Sequence, residues 1–174
     1  LFMAVPATVT RLAGADMESG HATVADAWMR IGDDGIIEAI GPMSQLPHTG
    51  SHEIIDTGGG YVLPVFCDSH THIIYAGSRD GEFLDKIRGL SYEEIAARGG
   101  GILNSADLLH ATSENVLFEQ ALGRAHMMMS KGTGAMEIKS GYGLNTSDEL
   151  KMLRVAARIR EAIPARVRIT FLGA

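Results

Sequence analysis

The chain has 174 residues, with 21 acidic side chains against 15 Lys and Arg, seven histidines and a single cysteine. A formal charge of -6 without any clustered basic stretch excludes the electrostatic footprint of a nucleic-acid binder. No apolar run approaches the roughly 20 residues that cross a bilayer, and one cysteine excludes an internal disulfide framework.

The opening "LFMAVPATVTRLAG" lacks the charged head and small-residue cleavage site of a signal peptide. With a lone thiol, Cys67, a reducing cytoplasmic setting is expected. The chain does not start with methionine, so residue 1 is not expected to be the natural start.

Residues 1–63 read as a β module, a small sandwich of hairpins. "TVADAWMRI" (residues 23–31) is a strand, "GDDG" (32–35) supplies the turn, and "IIEAIG" (36–41) returns. "EIID" (53–56) reads as a further short strand, stopped by the three glycines that follow. Pro64 marks the boundary.

From residue 64 to 174 the pattern alternates. "VFCDSHTHII" (65–74) is a near-continuous apolar strand, and helices follow over "DGEFLDKIRG" and "SYEEIAARGGG". Residues 114–131 place Phe118, Ala121, Leu122, Ala125, Met128 and Met129 on one helical stripe, with Gly132 as the stop. "GAMEIKSG" (134–141) is the second strand. Thr146 and Glu149 read as a capping box opening a helix with the stripe Met152, Val155, Ala156, Ile159 and Ile163, which finishes near Pro164. "VRITFLG" (167–173) is the third strand. Strands alternating with helices imply an α/β fold with parallel pairing. Three such strands match the start of a (β/α)₈ barrel, which takes about 250 residues.

His70 and His72 sit two apart in the first of these strands, so both imidazoles point to one face, and Asp68 shares it by the same alternation. Neutral imidazole suits zinc or iron. The alternative is a pair of core histidines satisfied by backbone carbonyls. Spacing alone leaves both open.

The stretch "LPVFCDSHTH", following "IIDTGGGYV", resembles the first barrel strand of the metal-dependent amidohydrolase superfamily. With "HIIYAGSRDGEF", "GLSYEEIAARGGGI" and "MEIKSGYGLNTSDELKMLRV", it is similar to the imidazolonepropionase family over nearly the whole chain. Two positions depart from that pattern: Val65 stands where glycine is usual, and Gly134 where threonine is usual. Local backbone adjustment is expected at both.

The resemblance implies a metal-dependent (β/α)₈ barrel, preceded by the β module and continuing beyond residue 174. It implies hydrolysis of 4-imidazolone-5-propanoate to N-formimino-L-glutamate in histidine degradation, with one zinc or iron ion. His70 and His72 would be metal ligands. Arg79, Tyr142 and Tyr92 would contact the substrate, the guanidinium matching its carboxylate. The remaining ligands and the general base would lie beyond residue 174, and because three of eight strands cannot close a barrel, the isolated chain would be insoluble or molten, and inactive. A homodimer is one arrangement the resemblance allows.

Blander readings stand beside these. Arg79 could be a surface arginine paired with Asp80 or Glu82, Tyr142 a loop tyrosine, and Tyr92 a packing residue at a helix start. Another cyclic-amide hydrolase or deaminase, or a non-catalytic binding protein with structural histidines, are the rival functions. Lys139 is read as structural or electrostatic and Cys67 as a buried thiol. His21, His48, His52, His110 and His126 are read as surface or packing residues without partner spacing.

Overall fold

The computed structural model describes residues 2–4, 11, 13–19, 22–48, 50 and 53–173. The chain divides into two compact units, Leu1–Pro64 and Val65–Ala174.

In the first unit, β1 (Phe2–Ala4) pairs antiparallel with β2 (Ala22–Val24), and the short helix α1 (Asp16–Ser19) lies between them in sequence. β3 (Ala27–Ile31) pairs antiparallel with β4 (Ile37–Pro42). These are two separate two-stranded sheets. The single strand expected over residues 23–31 is broken at Asp26, whose φ of 45° is incompatible with an extended run. The "GDDG" turn forms as expected, with the Gly35 N–H donating to the Gly32 carbonyl. "EIID" does not form a strand: Ile54 and Ile55 are 72% and 82% exposed, and no described strand pairs with them. Neither His21 nor His52 lies among the described residues.

The second unit is built on a parallel sheet in the order β5 (Phe66–Thr71), β6 (Thr133–Lys139), β7 (Arg166–Thr170). Between β5 and β6 run α2 (Asp80–Ile87), α3 (Tyr92–Ala97), α4 (Ile102–Ala111) and α5 (Glu114–Ser130), while α6 (Thr146–Ala162) joins β6 to β7. The core forms where α5 and α6 cover one sheet face. Met136 and Ile138 of β6 meet Leu117, Ala121 and Ala125 of α5, and Met152, Val155, Ala156 and Ile159 of α6. The expected α6 stripe is buried in full, Ile163 included. Such an interior gains roughly 1.5–3 kcal/mol for each large apolar side chain taken from water. What the structure adds is a parallel three-stranded sheet in a mixed α/β fold.

Two departures from expectation concern helices. The ten-residue α4 has no clean apolar stripe: Leu109 is fully buried, but Leu103 is 69% exposed. The N-cap of α6 is Asn145, whose side chain accepts from the Asp148 N–H. Thr146 is therefore the first helical residue, and Glu149 is released for another role.

The β5–β6 ladder is irregular twice. Phe66 pairs with Thr133 and Cys67 with Ala135, leaving Gly134 as an extra residue. A Cβ on Gly134 would lie 2.5 Å from the Val65 side chain. The two departures noted in the sequence are thus neighbours, a large residue at 65 facing the smallest at 134. The second irregularity falls between Asp68, opposite Met136, and Thr71, opposite Ile138. It puts two β5 residues against one of β6 and breaks the alternation that would align Asp68 with the histidines.

Candidate metal and substrate site

β5 stops at Thr71, so His70 is on the strand and His72 just beyond it. The rings still meet, with centroids 5.2 Å apart and planes tilted by 57°. Two imidazoles bound to one tetrahedral ion, with metal–nitrogen bonds of about 2.0–2.1 Å, would place their centroids about 5 Å apart. His70 is exposed and His72 half-buried. The Nδ1 atom of His72 is buried with no hydrogen-bond partner among the described residues. A buried ring nitrogen is costly to leave unmade, and an ion that takes imidazole would satisfy it. The donor set therefore fits a metal, although no group of three His, Cys, Asp or Glu gathers among the described residues. His70 and His72 would supply two of its ligands.

The electrostatics favour the neutral form of His72. Burial lowers its basicity most, the positive charges of His70 and Lys139 lower it further, and the Ser140 backbone and Glu149 pull the other way. A neutral ring is the form that binds a metal. Asp68 does not touch an imidazole; its carboxylate accepts the backbone N–H of His70 at 3.2 Å. Arg124, from α5, donates to the Ile73 and Tyr75 carbonyls at 2.9 and 3.0 Å and stacks over the Tyr75 ring. It pins the irregular segment between His72 and Arg79, and nothing local in the sequence announces it.

Tyr142 is half-buried, its ring centroid 5.5 Å from that of His72. Glu149 holds its loop. One buried carboxylate accepts the Gly141 N–H at 2.9 Å and the Gly143 N–H at 2.6 Å, spanning the tyrosine from both sides. Gly143 packs so tightly on the start of α6 that a Cβ there would lie 2.5 Å from the Glu149 backbone nitrogen. Two glycines flanking a tyrosine, with a carboxylate in the next helical turn, is the signal that could have revealed this clamp.

Arg79, the N-cap residue of α2, pairs with Glu82 through Nε at 2.9 Å and through Nη2. Its guanidinium is held above the usual range, first by this hydrogen bond and in smaller part by the nearby phenols of Tyr142 and Tyr92. All three residues expected to contact substrate therefore share one electrostatic neighbourhood. Tyr92 is 56% exposed and opens α3, behind the Ser91–Glu94 capping box. A cleft lined by Ser78, Arg79, Glu82, Arg98 and Asn104 lies alongside.

The neighbouring strands add polar groups. Lys139 donates to Glu137 at 2.9 Å, and Thr170 donates to the same oxygen. Those two hydrogen bonds, with the positive charges of Lys139 and His70, lower the Glu137 carboxyl. Cys67 is exposed, against the expectation of a buried thiol, because its register partner Ala135 lies on the sheet face opposite the core residue Met136. His48 and His126 are exposed.

His110 is not partnerless. Its Nδ1 meets Asp148 at 2.7 Å, Lys151 reaches the same carboxylate at 3.0 Å, and Lys151 also donates to the Leu109 carbonyl at the end of α4. Burial pushes the Asp148 carboxyl up, but Asn145, His110 and Lys151 outweigh it and hold it at about 2, below its ordinary 3.8. A carboxyl lowered in the folded state contributes stability above its unfolded value and loses it as pH falls through its folded one. Asp148→Asn is expected to cost about 2 kcal/mol above pH ~4. Melting curves of variant and wild type should converge as pH approaches 2. A constant gap down to that pH would refute this.

No family model matches the chain. It is 50% identical to an imidazolonepropionase of Flavobacterium johnsoniae over 167 residues, 96% of this chain and 40% of the relative. It is 50% identical to that of Christiangramia forsetii over 95% of this chain and 40% of the relative. Against that of Burkholderia lata the figures are 44%, 87% and 38%. The chain spans about 40% of the length of these curated relatives.

Proposed function

We propose, from the premise that this chain is homologous to the imidazolonepropionases, that it carries part of a metal-dependent hydrolase site which opens the ring of 4-imidazolone-5-propanoate. A ring C–N bond is hydrolysed and N-formimino-L-glutamate is released. The observation that carries this reading is the 5.2 Å approach of the His70 and His72 rings, the second with a buried Nδ1 that has no hydrogen-bond partner among the described residues and with Tyr142 packed against it.

His70 and His72 would hold a zinc or iron ion, with further ligands and the general base supplied from outside this chain. Such an ion, when bound, activates water near neutral pH and polarises a carbonyl. The chain's own residues bind and orient. Arg79 takes the propionate carboxylate, because a planar fork matches it. Tyr142 offers an apolar ring to the imidazolone and a hydroxyl to its polar edge, and Tyr92 closes over the tail. The parallel sheet would be the opening of a (β/α)₈ barrel, in which such sites form beyond the strand ends. No helix among the described residues is long and apolar enough to cross a membrane.

Arg79→Ala in the full-length protein tests the substrate assignment. KM for imidazolonepropionate should rise roughly 30-fold while kcat changes little, as expected when a charged hydrogen bond to the ground state is removed. An unchanged KM would remove the carboxylate from the reading and leave Arg79 as a surface residue paired with Glu82.

A further inference from the structure

We propose that Glu82 is the positioning residue of the substrate-carboxylate corner, fixing Arg79 and the loop before α4 in one arrangement. This rests on the reading of Arg79 as the carboxylate ligand. The two oxygens of Glu82 have different partners. Oε2 accepts from Nε and Nη2 of Arg79, and Oε1 accepts the backbone N–H of Gly101 at 2.8 Å, 19 residues further along the chain. The Glu82 side chain is 14% exposed, whereas Arg79 is 39% exposed. The less exposed partner holds the more accessible one.

The loop is shaped to admit this carboxylate. A Cβ on Gly100 would lie 2.8 Å from the Ile95 side chain, 2.9 Å from the Ile95 carbonyl oxygen and 3.1 Å from the carboxyl carbon of Glu82, so a side chain there would press on both residues. Gly101 is the N-cap of α4, and a Cβ there would sit 3.5 Å from the Tyr92 hydroxyl. One carboxylate thus ties the start of α2, the start of α4 and the neighbourhood of Tyr92 to the guanidinium.

A guanidinium has five N–H donors. Glu82 engages the Nε side, and no hydrogen bond among the described residues engages Nη1. The free end is therefore presented to an incoming carboxylate, with the side chain already ordered before substrate arrives. Holding a flexible arginine in its bound conformation improves affinity by removing the entropy loss from the binding step. A carboxylate does this where an amide cannot, because both of its oxygens accept and Arg79 and Gly101 both donate.

The test is Glu82→Gln in the full-length enzyme, with Arg79→Ala as the reference. Glu82→Gln should raise KM for imidazolonepropionate roughly tenfold and leave kcat within about threefold. An analogue with the tail carboxylate replaced by a carboxamide should inhibit variant and wild type equally. Glu82→Asp, which keeps the charge but is too short to reach both partners, should show the same split and replaces the glutamine variant where that fails to fold. If Arg79→Ala raises KM and neither Glu82 variant does, the positioning role falls and the Arg79 assignment stands. If Arg79→Ala changes nothing, both fall. If the Glu82 variants lower kcat and weaken the carboxamide analogue as well, Glu82 merely supports the loop and the proposal is overturned.

Discussion

On the proposed metal-hydrolase reading, replacing His72 with alanine is expected to strip the metal from the full-length protein and to lower ring-opening turnover at least about 10³-fold, since even residues that only orient a ligand are worth 10–100-fold. The effect should be large because the His72 Nδ1 is buried with no hydrogen-bond partner among the described residues, and burial favours the neutral ring. His70→Ala should cost as much turnover but little stability, because His70 is exposed whereas His72 fills space beside Tyr142. Metal content by mass spectrometry, read with steady-state kinetics and thermal melts, separates the two. A His72→Ala protein that keeps one equivalent of metal and turns over within tenfold of wild type would show that the imidazole pair is structural.

The second large effect is expected where β5 begins. Gly134→Thr restores the residue usual in the resembled family but drives a Cβ to within 2.5 Å of the Val65 side chain. The atoms concerned include the Val65 Cβ itself, not a flexible chain end, so backbone must move. Overpacking of this kind costs about 1–3 kcal/mol. Val65→Gly combined with Gly134→Thr should recover most of that loss, giving a coupling energy of about 1–2 kcal/mol in a double-mutant cycle. Additive effects would mean that Val65 simply swings aside, leaving the exchange without mechanical meaning. Denaturant unfolding of the four proteins decides it.

That exchange shows what a linear reading reaches and where it stops. Both departures were visible in the sequence, but their contact was not, because a parallel pairing joins residues 69 positions apart. The α6 stripe was legible because its period is local, and every residue in it is buried. The histidine pair was legible because two-residue spacing survives even where the strand ends, at Thr71. Asp68 was placed on the histidine face because a bulge leaves no mark in the alternation of residue types. α4 escaped notice because its apolar residues lie on more than one face and a glycine run precedes it. Reading Thr146 as the cap of α6 misassigned Glu149, whose partners are the backbone N–H groups of Gly141 and Gly143 and not those of the helix start. "EIID" had strand composition but no pairing partner among the described residues, and composition cannot supply one. Glu82 and Arg124 act on segments remote in sequence, so their roles appear only once the chain is folded.

The most direct measurement is anomalous diffraction, at the zinc and iron edges, from crystals of the full-length protein. A single metal peak should appear about 2.0–2.2 Å from one ring nitrogen of each of His70 and His72 if they hold the ion. Rings turned away from each other, or a metal bound where neither imidazole reaches it, would contradict that placement.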